Sequence, residues 1–389
     1  MQKIINKILM KKINDIFKYT EYGSITIELS NQHKLYFKGK YSGFDASVRF
    51  NNLSTLINAS IFGDVGLAKD YSLKKWETDN LLNTINFTMQ NQKVFDSLGN
   101  GNLLFKFFSQ IYYYGKKNNI KGSKKNIAAH YDLGNNFYQL WLDETMTYSS
   151  GIYYHEADSL IKAQKNKYLR LLDKMDKKNA NILEIGCGWG GFAKCALEYK
   201  HKIKCITLSN EQARYITENI QNPDLTVVIE DYRNQNNQYD YIVSIEMFEA
   251  VGEKYWQTYF TKLKQLLKPE GKILLQMILI DDQLFEQYRK NTDMLRTYIF
   301  PGGMLASDKK IEELLQQNNL KCLDKYYFAK DYSKTLTTWL ENFNNVYDNV
   351  KKLGYNDEFI RIWQFYLASC SAAFLSERIN VVQLEITHN

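Results

Sequence analysis

A chain of 389 residues is too long for one simple core, so two domains are expected. Its net charge of +7 arises without any nucleic-acid-binding motif around the lysines, so nucleic acid is not an expected partner. Five scattered cysteines, no signal peptide and no apolar run of bilayer length exclude a zinc site and a membrane span, and point to a reducing cytoplasm.

Lys3, Lys7, Lys11, Lys12 and Lys18 flank Ile4, Ile5, Ile8, Leu9, Ile13, Ile16 and Phe17. On a helix this gives one apolar face with basic edges. Such a face suits a membrane surface or packing on the chain's own core, and the pattern leaves both open. Ile25-Thr26-Ile27-Glu28-Leu29 and Lys34-Leu35-Tyr36-Phe37 alternate like a hairpin within a small α+β unit. Phe62 to Ala68, with Gly63 and Gly66, reads as a turn-rich segment. Residues 1–96 are taken as the N-terminal α+β domain, 97–127 as a linker and 128–389 as the catalytic domain. The linker carries a second basic cluster, Lys116, Lys117, Lys121, Lys124 and Lys125, which could face anionic phosphates.

Ile182 to Ile185 reads as a short buried strand, followed at once by Gly186-Cys187-Gly188-Trp189-Gly190-Gly191 and a helix from Phe192 to Tyr199. Gly186, Gly188 and Gly190 therefore sit on a strand-to-helix turn where a nucleotide can approach bare backbone. The string alone fits NAD, FAD or S-adenosylmethionine (SAM). A dinucleotide fold wants an acid closing the second strand. Here Ile203 to Leu208 ends in Thr207-Leu208-Ser209-Asn210-Glu211-Gln212, with no acid on the strand itself. Glu184, closing the first strand, is instead placed for the methionine end of SAM. A third strand, Leu225 to Ile229, precedes Asp231, an acceptor for an adenine amino group, and Tyr232, a surface for the ring. Tyr241 to Ile245 precedes Glu246-Met247-Phe248-Glu249. A helix around Trp256 to Leu267, a turn at Pro269-Glu270-Gly271 and a fifth strand, Ile273 to Met277, follow. This alternation predicts a mostly parallel sheet with helices on both faces, and ligands beyond its carboxyl edge. Residues 280–305 read as an insertion whose Tyr298 to Met304 forms a lid. Helical stretches at about Lys334–Val350 and Asp357–Leu375 and a closing strand, Val381–Thr387, complete the chain.

These segments together resemble the cyclopropane-fatty-acyl-phospholipid synthases, a SAM-dependent methyltransferase family that includes the mycolic acid cyclopropane synthases. The resemblance runs through Gly63-Asp64-Val65-Gly66-Leu67-Ala68, His130-Tyr131-Asp132, Tyr148-Ser149, the glycine loop, Thr207-Leu208-Ser209 with Gln212, Met247-Phe248-Glu249, Tyr298 to Gly303 and Phe365-Tyr366-Leu367. It implies a Rossmann-like α/β methyltransferase domain with a seven-stranded, mostly parallel sheet, behind a smaller lipid-binding N-terminal domain. It implies SAM as methyl donor and unsaturated phospholipid acyl chains as substrate. It also implies a cytoplasmic enzyme peripherally attached to the inner, anionic face of the membrane, and allows a homodimer. The expected product is a cyclopropane ring across a cis double bond, through a carbocation that Tyr148, Phe137 and Tyr332 could stabilise.

By the same resemblance a bound bicarbonate removes the proton that lets the ring close, held by a cysteine, a glutamate, a histidine and a tyrosine. Glu249 matches the glutamate and Tyr332 the tyrosine. Ser150 stands at the cysteine position and Gln276 at the histidine position. Both can hydrogen-bond an oxyanion, but neither supplies an imidazolium charge. Methyl transfer is therefore expected to survive, while a methyl- or methylene-branched product becomes the alternative to a ring. Cys370, on an apolar helix, completes the candidate catalytic set, although buried thiols are usually inert. A SAM methyltransferase acting on a small soluble nucleophile keeps the fold and changes the substrate.

Overall fold

The computed structural model describes residues 10–11, 13–30, 32–92, 94 and 133–389. The expected linker with its lysines, and His130-Tyr131-Asp132, lie outside them. Among the described residues no helix is long and apolar enough to cross a membrane.

The first sheet has four strands, ordered β2-β1-β3-β4. β1 (Tyr22–Leu29) alternates along its length, sending Ile25, Ile27 and Leu29 to the buried face. β2 (Lys34–Lys38) pairs antiparallel with it, as the hairpin reading anticipates, and β3 (Tyr41–Phe50) runs parallel to it. α1 (Ser54–Ser72) leads to β4 (Trp76–Glu77), and α2 (Leu81–Gln90) follows. The segment expected as turn-rich, Phe62 to Ala68, lies inside α1. Only Gly63 leaves helical geometry (φ 56°, ψ −137°), so the glycine produces a kink, and helix resumes beyond it. Gly66 is small for packing, since a Cβ there would lie 2.7 Å from the Asn58 carbonyl oxygen. At the N-terminus Ile13 and Phe17 are buried in the same core, with Phe17 stacked on Phe37 at 5.5 Å. For the described part of that helix, the apolar face serves its own domain.

The second unit opens with α3 (Asn135–Gln139) and α4 (Leu160–Leu172). It then alternates β5 (Asn181–Ile185), α5 (Gly191–Glu198), β6 (Lys202–Thr207), α6 (Asn210–Asn219), β7 (Leu225–Ile229), β8 (Tyr239–Ile245), α7 (Trp256–Leu266) and β9 (Leu267–Ile280). The sheet order is β11-β12-β9-β8-β5-β6-β7, with the two-residue β10 (Ala306–Ser307) also pairing with β9. β5 to β9 are mutually parallel, and β12 (Ile379–His388) enters antiparallel between β9 and β11 (Leu320–Tyr327). Chain progression reverses between β5 and β8, and at such a reversal a crevice opens beyond the strand ends.

Two local expectations change. The turn at Pro269-Glu270-Gly271 falls inside β9, where the pairing with β8 shifts register between Tyr239 and Tyr241. There the chain bulges without leaving the sheet. The insertion after β9 is also more ordered than a loop. It holds α8 (Asp282–Lys290) and a wide helical turn (Leu295–Ile299), and α9 (Asp308–Gln317) follows β10. The last helices are α10 (Ala329–Asn345), α11 (Tyr347–Lys352) and α12 (Asp357–Leu375).

α12 is the seam between the two units. The Arg361 guanidinium donates to the Tyr71 carbonyl at 2.7 Å and lies over the Tyr71 ring at 3.8 Å from its centroid. Lys69 and Lys74 pair with Glu358 and Asp357. The insertion is tied in as well, since the Met294 N–H donates to Asp64 at 3.1 Å. Exposed ion pairs add little, whereas the partly covered Arg361 contact combines a charged hydrogen bond with ring contact. Arg361→Ala is expected to cost about 1–3 kcal/mol of stability. Urea unfolding, with Lys74→Ala expected to be nearly silent, checks this.

Candidate active site

The cleft forms because β5 must turn sharply into α5. Gly186 (φ 78°), Gly188 (φ 51°) and Gly190 (φ 85°) all occupy the left-handed region, which L side chains adopt at a cost. At Gly186 a Cβ would also meet the Met247 side chain at 2.7 Å. The backbone therefore stays bare where α5 begins, and amide N–H groups are open to a ligand.

Of the sequence candidates, Tyr148, Ser149, Glu184, Gly186, Gly188, Thr207, Leu208, Gln212, Asp231 and Tyr232 line this cleft. Gly190 and Ser209 do not. Gly190 caps α5, and Ser209 caps α6, its hydroxyl accepting from the Gln212 N–H at 3.3 Å. Both act by shaping the turn. Thr207 donates to the Gln212 side chain at 2.8 Å, which fixes that amide at the cleft edge. Asp231 is already engaged. Its two oxygens accept from the Arg233 backbone N–H, Nε and Nη2 at 2.7–2.9 Å, so it anchors Arg233 at the rim as well as offering its remaining lone pairs. The Tyr232 ring packs edge-on against Tyr259 at 5.2 Å. Its buried hydroxyl has no partner among the described residues.

These residues fit SAM. Glu184 is buried, and burial pushes its carboxyl up to about 8, with the Cys205 thiol its only donor among the described residues. An ammonium group beside it would restore its charge, and SAM carries one. The unpartnered Tyr232 hydroxyl and the bare glycine backbone offer donors and acceptors to the rest.

Deeper in the cleft stands Glu246, a residue the sequence reading passed over. It closes β8 at φ 49°, left-handed for a non-glycine residue, and its side chain lines the cleft. Three donors converge on its carboxylate. The Ser150 backbone N–H reaches Oε1 at 2.9 Å, Gln276 Nε2 reaches Oε1 at 2.7 Å, and the Tyr332 hydroxyl reaches Oε2 at 2.5 Å. Lys167, wholly buried and donating to the Ser149 hydroxyl, provides a favourable charge nearby. Burial pushes that lysine down to about 7. Enclosure raises the Glu246 carboxyl, and Lys167, Tyr332, the Ser150 N–H and Gln276 oppose the rise.

The expected catalytic set thus appears in altered form. Gln276 and Tyr332 do meet, but on Glu246. Ser150 contributes its backbone N–H, because its hydroxyl is spent on the Gly151 carbonyl at 2.9 Å. Glu249 stands behind the cleft lining. Its Oε1 accepts from the Ile278 N–H at 2.6 Å, while its buried Oε2 has no partner among the described residues. Burial, and then the charge of Glu246, push Glu249 up to about 8, so it is mostly protonated at neutral pH. Cys370 is buried in the aromatic core and does not line the cleft. Burial raises its thiol pKa, keeping it protonated. Phe137 is likewise enclosed, edge-on to Trp363 at 4.9 Å, and does not reach the cleft. Tyr148 does, and its hydroxyl pairs with that of Tyr366 at 2.6 Å. Its ring lies against Trp339 at 5.3 Å and Trp141 at 5.6 Å. One wall of the site is therefore aromatic.

The profile of the family described as mycolic acid cyclopropane synthetase matches residues 118–384. The cyclopropane-fatty-acyl-phospholipid synthase of Escherichia coli (strain K12) is 33% identical over 350 residues, 87% of either chain. The chain belongs to the mycolic acid cyclopropane synthetase family. Tuberculostearic acid methyltransferase UfaA1 of Mycobacterium tuberculosis is 35% identical over 274 residues, covering 67% of this chain and 64% of that enzyme. Among solved structures, the mycolic acid cyclopropane synthase CmaA1 complexed with S-adenosylhomocysteine matches with a TM-score of 0.64 at 28% identity. That match covers 68% of this chain and 97% of CmaA1. The family and its cofactor-bound member make this chain a SAM-dependent methyltransferase.

Gly186→Ala places a methyl group against Met247 and forces a left-handed alanine. The strain of about 1–2 kcal/mol corresponds to a loss of about tenfold in SAM affinity. Calorimetric titration with SAM checks this, and Gly354→Ala, remote from the cleft, serves as the control.

Proposed function

We propose that this enzyme adds a methylene group across the cis double bond of unsaturated phospholipid acyl chains, giving a cyclopropane fatty acyl chain. The observation that carries the reading is the placement of a hydrogen-bonded carboxylate, Glu246, in the SAM cleft beside an aromatic wall. Bound SAM supplies a methyl group on a sulfonium, whose bond electrons stay with sulfur as the methyl leaves. An alkene is a weak nucleophile, so the protein must hold it close and in line. Tyr148, whose orientation is fixed by Tyr366 and Trp339, offers a ring face toward positive charge developing on the chain. A nucleophilic side chain is not required, which agrees with the protonated state of Cys370.

The N-terminal unit is assigned here to lipid handling. It docks along α12, and its Asp64 holds the start of the wide turn that leads to Phe300. Phe300 in turn lies edge-on to Tyr366 at 5.6 Å, so a lipid contact at this unit has a short path to the aromatic wall. Attachment to an anionic membrane surface follows from the basic charge of the chain and the need to reach a bilayer acyl chain.

A methyl-branched product is the second reading. It is favoured by glutamine at position 276 and by the similarity to an enzyme named as a tuberculostearic acid methyltransferase. Purified protein, SAM and vesicles of cis-monounsaturated phospholipid separate the two. Released acyl chains should show cyclopropane ring protons by NMR and a gain of one carbon by mass spectrometry, while saturated vesicles should give nothing. A gained carbon without ring protons supports branching. No transfer to any lipid, despite SAM binding, points to a small soluble substrate.

A further inference from the structure

We propose that Glu246 is the general base of ring closure, its carboxylate standing where an external bicarbonate would otherwise be held. The inference rests on the cyclopropanation reading given above.

The residues that the resemblance assigns to a bicarbonate are Ser150, Gln276, Tyr332 and Glu249. In this structure three of them already face a carboxyl group of the chain itself. The Ser150 N–H, Gln276 Nε2 and the Tyr332 hydroxyl all end on Glu246 at 2.5–2.9 Å. The fourth, Glu249, stands behind the cleft lining and supplies no positive charge. A second anion here would find its donors occupied and the Glu246 carboxylate beside it, an arrangement that like-charge repulsion disfavours. The site as built does not fit bicarbonate. It fits a carboxylate carried by the chain.

The surroundings are arranged for that carboxylate. Gln383 Nε2 donates to Gln276 Oε1 at 3.0 Å across the β9–β12 pair, which turns the Gln276 amide so that its N–H₂ faces Glu246. Gln383 is itself fixed by Arg170 at 3.2 Å and by the Lys167 carbonyl at 3.2 Å. Glutamine therefore suffices where a charged imidazolium would serve a diffusible ion, because a tethered anion needs orientation more than capture. The backbone points the same way. Position 246 is left-handed, a conformation glycine takes freely and glutamate takes at a cost.

Glu246 and Glu249 divide the acid–base work by environment. Glu246 lines the cleft and has three donors that favour its anion. Glu249 has one donor, a bare oxygen and no place in the cleft lining. In the reaction, a new carbon–carbon bond to one alkene carbon leaves positive charge on the other. Glu246 accepts one proton from the added methyl group. The electron pair of that C–H bond then forms the third ring bond and cancels the charge. The proton rests on the Glu246 carboxyl and passes to water after product leaves.

Two measurements on the full chain decide the matter. The first is binding of [13C]bicarbonate, followed by NMR, to wild type, Glu246→Gly and Glu246→Gln. Wild type should bind none. Glu246→Gly vacates the cradle and relieves the strained backbone, so it should fold and bind the ion. The second is turnover on cis-unsaturated vesicles in carbon-dioxide-free buffer. Wild type should be unaffected by bicarbonate. Glu246→Gln should lose about 10²- to 10⁴-fold, the usual loss of a general base, with bicarbonate giving no rescue. Glu246→Gly should lose as much and recover with bicarbonate. Bicarbonate bound to wild type, or wild-type turnover in Glu246→Gln, overturns the proposal. Should wild type convert no lipid at all, the cyclopropanation reading fails, while the binding measurement still decides what occupies the cradle.

Discussion

A carboxylate drawn away from bulk water is tolerated only where donors replace the water it has lost, and that constraint organises this site around Glu246. Its hydrogen-bond donors come from three separate parts of the chain: the segment after Tyr148, the middle of β9 and the first turn of α10. None of these is near another in sequence. The hydrogen bonds that satisfy one side chain therefore also fix how the closing strands and helices sit on the nucleotide-binding half of the sheet. Loss of any one donor leaves charge uncompensated, so the cradle is expected to be as rigid as the core around it.

The same arrangement links cofactor and substrate. The strand reversal between β5 and β8 opens the crevice, and glycines keep its floor bare. Glu246, one strand over from the glycine turn, lines that crevice. Tyr148, backed by the buried Trp141 and Trp339, gives it an aromatic wall. Such a wall excludes water, which would otherwise capture a carbocation, and presents ring faces in place of a nucleophile. The N-terminal unit and the insertion after β9 meet at Asp64 and Met294. Among the described residues, none of that insertion, the expected lid at Tyr298 to Met304 included, lines the cleft; it reaches the aromatic wall through Phe300 against Tyr366.

Much of this was legible in the sequence, and the exceptions have physical causes. β7 occupies Leu225–Ile229 as read, because a β-branched apolar run bounded by polar residues has few other uses. The glycine loop, Glu184 and Thr207 fell at the carboxyl edge because strand periodicity alone places them there. The kink at Gly63 was misread because a glycine marks a break in φ and ψ but does not say whether helix resumes after it. Pro269 and Gly271 looked like a turn because a bulge uses the same residues. Glu246 was missed for a subtler reason. Two glutamates stand three apart at the end of β8, and the resemblance singled out Glu249. The signal was present in the departures at Ser150 and Gln276. Two altered positions around one anion suggest that the anion itself has changed, but only the spatial convergence on Glu246 identifies the replacement.

The central claim is that a methyl group is delivered and then loses one proton within the site. The most direct test supplies SAM bearing a trideuterated methyl group, with cis-unsaturated phospholipid vesicles, and reads the product acyl chains by mass spectrometry. Ring carbons carrying two deuterium atoms are expected, the third having left with the base. Product that retains all three deuterium atoms would contradict the claim, because the transferred methyl would then never have been deprotonated.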